Sequence, residues 1–165
     1  MATDAAHTRW WQISELVFGI PLLAAIALQL ALPVSIPYGL LAPAVMIAGA
    51  ALIIAGTALV ILARREFARH GQHTDPGHPT SKVMTTGVFS ISRNPLYLGI
   101  VCFLVGIALA FDLTWVLVLL VPAIAACHHI LIAPEEKYLA SKFGQEYAMY
   151  AASVHRWLGR ARESR

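Results

Sequence analysis

Residues 93–111 read RNPLYLGIVCFLVGIALAF, a polar start followed by a long apolar run. Pro95 suits the first turn of a helix, and Asn94 is a favoured capping residue directly before it. Spanning the hydrocarbon core of a bilayer takes about 20 mostly apolar residues, so this run predicts a membrane helix that begins at the water interface. Its free N–H groups and positive dipole end favour an anionic group beside Asn94.

The whole chain has the composition of an integral membrane protein. It has 165 residues, of which 58% are hydrophobic and 13% charged, with a mean hydropathy of +0.67. A soluble domain of this size is less apolar and more highly charged. Apolar runs cover residues 13–32, 39–63, 96–111 and 113–133. We therefore predict an all-α helical membrane bundle of about four transmembrane helices. It forms a single domain over 1–165, with an N-terminal hairpin at 13–63 and the remaining elements at 64–165.

The positions of the basic residues predict the orientation of the chain. All 12 Lys and Arg residues fall in three places: at Arg9, within 64–93 and within 137–165. Basic residues are retained on the cytoplasmic side of a membrane. This predicts a multi-pass protein with both termini and the candidate site in the cytoplasm, and we expect it in a bacterial inner membrane. Because the charges follow the membrane boundaries, the net charge of +3 does not indicate a nucleic-acid partner.

Two pairs of glycines predict a close helix–helix contact. Gly49 and Gly56 lie on the second apolar run, and Gly99 and Gly106 lie seven apart on the third. Helices in lipid associate where small residues let their backbones approach. We expect these two helices to touch, although glycine is also simply common in membrane helices.

The segment after the second run changes sharply in composition. The helix is predicted to continue to His70 and to end at Gly71, a suitable capping residue. A turn-rich loop follows, punctuated by Pro76-Gly77 and Pro79. Loops of this length in a small protein are commonly functional.

The tail from Glu135 onward is predicted to be one amphipathic helix. Apolar side chains recur at intervals of three or four residues; they are Leu139, Phe143, Tyr147, Tyr150, Val154 and Trp157. Such a helix either lies on the membrane surface or covers a site above the last two spans. The stripe alone leaves both readings open.

Three groups near the cytoplasmic boundary can do chemistry. Glu135 and Glu136 start the tail helix, where they either serve the helix dipole alone or bind a cationic or hydroxyl-rich ligand. His128 lies seven residues before Glu135, hence on the same face of a regular helix, and a histidine inside a span is a candidate site residue. Arg93 either reaches lipid headgroups or takes part in the site.

A metal site is a further alternative, since His70, His73, His78, His128 and His129 all belong to this side of the chain. Membrane di-iron oxidases hold their metal with larger and more tightly spaced histidine sets, so the predicted site contains no metal.

The motifs together resemble the isoprenylcysteine carboxyl methyltransferase family and its phospholipid methyltransferase relatives. The matching pieces occur in order from Phe67 to about Leu158: Gly87-Val88-Phe89, RNPLYLG at 93–99, Glu135-Glu136, FGQEY at 143–147, then Tyr150, Val154 and Arg156-Trp157-Leu158. The resemblance implies a membrane enzyme that uses S-adenosylmethionine beside a lipid-facing tunnel.

The resemblance also implies roles for individual residues. Cofactor-binding residues carried over from it are Ser81, Lys82, Val83 and Met84 along the adenosine, with Phe89 beside them; Asn94, Pro95, Leu96 and Tyr97 at the amino-acid end; and Glu135. His128, Arg93 and Glu136 are the predicted catalytic residues.

One departure from the family concerns the methyl acceptor. The prenylcysteine enzymes have an arginine four residues before the first glutamate, and this chain has Leu131 there. A carboxylate acceptor is therefore less favoured, and His128 is the nearest polar replacement. An amine acceptor needs a base, which His128 or His129 could supply. We expect a lipophilic or lipid acceptor that enters between the third and fourth spans. The alternative from another class is a noncatalytic membrane assembly or lipid-binding protein.

Overall fold

The computed structural model describes residues 14–72 and 80–160, and their regular structure is helical apart from one isolated β-bridge. The described part of the chain forms six α-helices in this order: α1 Ser14–Ala31, α2 Ala42–Arg69, α3 Pro95–Ala110, α4 Thr114–Cys127, α5 Ala133–Phe143 and α6 Gln145–Ser153. The all-α prediction is confirmed. The predictions for Arg9, His73, Pro76-Gly77, His78 and Pro79 lie outside the described residues.

Within residues 14–72 and 80–160, three helical segments are long and apolar enough to cross a membrane: Ser14–Ala31, Gly39–Arg69 and Thr114–Phe143. The predicted third span is the apolar helix α3, whose 16 residues correspond to roughly 24 Å. That is less than the roughly 30 Å of a typical hydrocarbon core. The bundle therefore contains three long apolar helices and a shorter one that packs mainly along α2.

The predicted contact between the glycine faces is confirmed. A Cβ atom added to Gly56 would lie 2.6 Å from the carbonyl oxygen of Gly99, and one added to Gly49 would lie 2.8 Å from that of Gly106. Backbones this close leave no room for any side chain. The two glycine pairs thus set how α2 and α3 lie against each other in an antiparallel arrangement.

The connections at the other end of the bundle are tied together. Asp112, in the turn between α3 and α4, accepts the backbone N–H of Ile36 at 2.9 Å. The indole N–H of Trp115 donates to the carbonyl oxygen of Leu32 at 2.8 Å. These bonds join the α1–α2 connection to the start of α4, and α1 packs on α4.

The end of α2 follows the sequence prediction. The helix ends at Arg69, and Gly71 has φ +63°. The N–H of Gly71 donates to Ala68 and that of Gln72 donates to Phe67, which is the pairing of a Schellman motif. The chain therefore turns sharply at the point where the loop toward α3 begins.

The region from α4 to the C-terminus differs from the predicted single tail helix. Residues His128–Ile132 form a π-helix, so the seven-residue spacing between His128 and Glu135 does not place them on one face as a regular α-helix would. The predicted continuous helix from Glu135 is also wrong: Gly144, with φ +53°, separates α5 from α6. Helix α6 ends at Ser153, and Val154 directly after it has an extended backbone conformation.

The segment Val154–Arg160, called the strap below, lies across the residues that precede α3. It is closed by the bridge between Val154 and Arg160. The N–H of Arg93 donates to the carbonyl oxygen of His155 at 3.1 Å, and the N–H of Gly159 donates to that of Ile91 at 2.7 Å. The strap thereby fixes the C-terminal part of the chain to the start of α3.

Candidate functional site

A hollow of about 490 Å³, a volume that includes space open to solvent, lies where α2 ends and α3 and α5 begin. Four separate parts of the chain contribute its lining residues, which are Phe67, Thr80, Lys82, Val83, Met84, Phe89, Arg93, Asn94, Glu135, Glu136, Leu139, Tyr147 and Tyr150.

The start of α3 supplies one wall of the hollow. Asn94 occupies the capping position, but its side chain makes no cap; the Nδ2 amide donates to the carbonyl oxygen of Arg156 in the strap at 3.1 Å. The predicted capping role of Asn94 is therefore wrong for its side chain. The first N–H groups of a helix have no acceptor within the helix. In α3 they remain without a side-chain cap, beside a buried Asn94 that lines the hollow.

The two adjacent glutamates have different partners. Glu136 forms a paired contact with Arg156, with Oε1 3.0 Å from Nε and Oε2 2.7 Å from the terminal NH2 nitrogen. A terminal nitrogen of Arg93 lies 3.2 Å from Oε1 of the same carboxylate. Glu135 instead hydrogen bonds the hydroxyl of Tyr97. Two guanidinium groups therefore engage Glu136, and Glu135 lines the hollow with a neutral phenol beside it.

Arg93 retains unused hydrogen-bonding capacity. Besides Glu136, a terminal nitrogen donates to the hydroxyl of Tyr147 at 3.3 Å. Its Nε atom is buried and has no partner among the described residues. A buried donor without an acceptor is costly.

A second part of the lining is apolar and includes two tyrosines, Tyr147 and Tyr150. Val83, Met84 and Phe89 are each at least nine-tenths buried. The hydroxyl of Tyr150 donates to the carbonyl oxygen of Phe89 at 2.7 Å. Burial raises the pKa of both Tyr147 and Tyr150 above the ordinary value, so both stay neutral at physiological pH.

Eight of the thirteen predicted site residues line the hollow: Lys82, Val83, Met84, Phe89, Arg93, Asn94, Glu135 and Glu136. Tyr97 is not among the lining residues, but it forms a hydrogen bond with Glu135, which is. Pro95 is fully buried and Leu96 packs against Met84 and Phe89, whereas Ser81 is exposed and pairs with Gln72.

His128 does not line the hollow. It sits in the π-helix, where its ring stacks edge-on against that of His129 with centroids 4.9 Å apart. Its catalytic role stays a prediction. Within residues 14–72 and 80–160, no three His, Cys, Asp or Glu side chains are grouped so that they could hold a metal ion.

The site also includes residues that the sequence did not assign to it. Tyr147, Tyr150 and Leu139 were part of the apolar stripe, and Arg156 was part of the family resemblance. The sequence patterns therefore included each of them but did not assign it to the site. Phe67 and Thr80 had no such signal. Their contribution depends on how the loop before α3 folds back over the end of α2.

The comparison with known protein families gives one match. A family model described as phospholipid methyltransferase matches residues 44–146, which is more than half of the chain and runs from α2 into the start of α6. No curated protein and no solved structure gave a significant match.

Proposed function

The chain belongs to the phospholipid methyltransferase family, and we propose that it transfers a methyl group from S-adenosylmethionine to a lipophilic acceptor that enters from the bilayer. The family resemblance found in the motifs is thereby confirmed. Family membership supports a membrane methyltransferase with a lipid-like substrate. The cofactor, the acceptor and the roles of individual residues belong to the proposal.

One observation favours the proposal above the others: Asn94, at the uncapped start of α3, and Glu135 face the same hollow. A helix start favours a carboxylate, and a glutamate favours an ammonium group or ribose hydroxyls. S-adenosylmethionine carries all of these groups and supplies an electrophilic methyl on a sulfonium.

The remaining wall fits the nucleoside part of the cofactor. Val83, Met84 and Phe89 provide an apolar surface, and an adenine ring is flat and largely apolar. Lys82 and Thr80 line the same side and can contact polar groups at the open edge. Pro95 is fully buried and Leu96 packs on the Met84 and Phe89 cluster, so both support this wall rather than lining the hollow.

The chain's own contribution to the reaction is alignment and exclusion of water. Methyl transfer is an in-line displacement, so holding the two reacting groups in register is a major source of rate. The contacts among Arg93, Glu136 and Arg156 fix the mouth of the hollow without leaving an unpaired carboxylate there. The neutral hydroxyl of Tyr97 holds the Glu135 carboxyl in place.

The acceptor is proposed to be a lipid or another small hydrophobic molecule. The family match favours a lipid-like substrate, and the fully buried Leu131 stands where prenylcysteine enzymes have an arginine for the substrate carboxylate. An amine acceptor must release a proton, and the proposed acceptor of that proton is His128.

The site is proposed to face the cytoplasm. Basic residues lie at the end of the bundle that holds the hollow. Among them are Arg64, Arg69, Lys82, Arg93 and Lys137. This asymmetry is the usual mark of the cytoplasmic side.

The experiment compares wild type, Glu135→Ala and the matched control Glu146→Ala, which removes an exposed carboxylate from α6. In lipid vesicles, wild type should transfer label from S-adenosylmethionine to an added lipid extract, and Glu135→Ala should be about tenfold or more slower. S-adenosylhomocysteine should raise the melting temperature of wild type and of the control, as any ligand of the folded state does. Wild type that neither binds S-adenosylhomocysteine nor transfers label would instead support the noncatalytic alternative.

A further inference from the structure

We infer that Glu66, outside the hollow, is a positioning residue that sets the apolar wall against which the nucleoside of the cofactor packs. The inference rests on the proposed function. It adds a residue of α2 that neither the motifs nor the lining of the hollow includes. Its basis is the contact between the end of α2 and the turn Gly87–Ser90, which holds Phe89.

Glu66 is a buried carboxylate, with a relative exposure of 6%. Its Oε1 atom accepts the hydroxyl of Thr86 at 2.5 Å. The backbone of Gly87 lies directly over the same carboxylate, since a Cβ atom there would be 3.0 Å from Cδ and from Oε2 of Glu66. The positive φ of Gly87, +58°, lets the chain take this course.

The other partners of Glu66 are weaker. Arg69 approaches Oε2 only to 3.4 Å, and its side chain is 74% exposed. Nδ1 of His70 is 3.7 Å from Oε1 and lies closer, at 2.9 Å, to the backbone oxygen of Glu66. Exposed or long ion pairs add little. The hydroxyl of Thr86 is therefore the contact that balances the cost of burying this carboxylate.

Thr86 is connected directly to the wall of the hollow. Its carbonyl oxygen accepts the N–H of Phe89 at 3.1 Å. The ring of Phe89 packs edge-on against Phe67, the residue after Glu66, with ring centroids 5.1 Å apart. Thus two consecutive residues of α2 hold the turn, one by a hydrogen bond to Thr86 and the other by ring contact with Phe89.

Phe89 is also held by α6, because the hydroxyl of Tyr150 donates to its carbonyl oxygen. With Tyr150 retained and Glu66 lost, Phe89 keeps its bond to α6 and its ring contact with Phe67, but α2 loses its hydrogen bond to Thr86. We expect the wall to shift relative to Phe67 and Met84. A ligand that packs there should then bind more weakly even in a folded protein.

The test measures the dissociation constant of S-adenosylhomocysteine by calorimetry and the melting temperature of the same samples. The variants are Glu66→Ala, Thr86→Val and Thr86→Ser, with Thr85→Val as control because Thr85 is an exposed neighbour with the same side chain. We expect Glu66→Ala and Thr86→Val to weaken binding about tenfold. Thr86→Ser keeps the hydroxyl and should bind as wild type does, as should Thr85→Val.

Two measurements make the inference falsifiable. Methyl-transfer kinetics should show a raised KM for S-adenosylmethionine with a smaller change in kcat, because Glu66 does not line the hollow. If Glu66→Ala and Thr86→Val lower the melting temperature but leave the dissociation constant unchanged, Glu66 has only a structural role. If Glu66→Ala does not fold, the Thr86→Val and Thr86→Ser pair decides. Absence of binding by wild type would refute the proposed function instead.

Discussion

Gly56→Ala is a single-methyl change that tests how the membrane part of the fold supports the hollow. The added Cβ would lie 2.6 Å from both the carbonyl oxygen of Gly99 and the backbone N of Phe103. Ordinary contact begins at 3.4 Å, so α2 and α3 must separate locally by about 0.8 Å. Both obstacles are backbone atoms, which cannot rotate away as a flexible side chain can.

The sign of the effect distinguishes packing from helix propensity. Overpacking typically costs about 1–3 kcal/mol, whereas alanine is favoured over glycine in a helix by about 1 kcal/mol. We therefore expect a net loss of up to about 2 kcal/mol for Gly56→Ala. Gly19→Ala in α1 is the matched control, because its Cβ would meet nothing within 4 Å, and it should not lower the stability.

Gly56→Ala should also weaken the binding of a ligand in the hollow. Gly99 lies five residues after Asn94 on α3, whereas the other close pair, Gly49 with Gly106, is near the far end of the bundle. Thermal unfolding should show a loss for both Gly56→Ala and Gly49→Ala, and calorimetry with S-adenosylhomocysteine should show the larger loss of affinity for Gly56→Ala. Equal stability of Gly56→Ala and Gly19→Ala would refute the inferred contact.

Two further predictions concern the contact between Arg156 and Glu136 and the orientation of the chain in the membrane. Arg156→Lys retains the charge but not the paired bonds to Glu136, so it should lose about 1 kcal/mol of unfolding free energy, most of what Arg156→Ala loses. A double-mutant cycle with Glu136→Gln that shows no coupling would contradict this. With the native cysteines replaced, His155→Cys should react with an impermeant maleimide from the cytoplasmic side and Ser35→Cys from the opposite side. Labelling of both from one side would overturn the proposed topology.

Local signals in the sequence were sufficient for much of the fold. The end of α2 at Gly71 and the start of α3 at Pro95 each follow from a residue whose backbone preference suits one position. The α2–α3 contact followed from glycines seven residues apart, a spacing that places both on one helix face. In each case the information lies within a few residues or along one helix.

The parts that were not predicted depend on contacts between distant segments. The apolar stripe continues through Gly144, so periodicity gave no sign that α6 turns away from α5, although glycine is a common breaker. The side chain of Asn94 bonds to the strap, 62 residues away, rather than capping its own helix. The π-helix at His128–Ile132 was likewise not predicted, although Pro134, which cannot donate a helical hydrogen bond to Ile130, follows it closely.

The separate partners of Glu135 and Glu136 follow from helix geometry. Neighbouring residues on an α-helix point about 100° apart, so a single orientation of α5 can direct one carboxylate toward Arg93 and Arg156 and the other toward Tyr97. The carboxylate of Glu136 is neutralised by Arg156 of the strap and by Arg93, and these contacts join α5 to the strap and to the start of α3. That of Glu135 is left facing the hollow with a neutral partner. Two glutamates in sequence are therefore not interchangeable: one pairs with both arginines, and the other lines the hollow, where we propose that it contacts the cofactor.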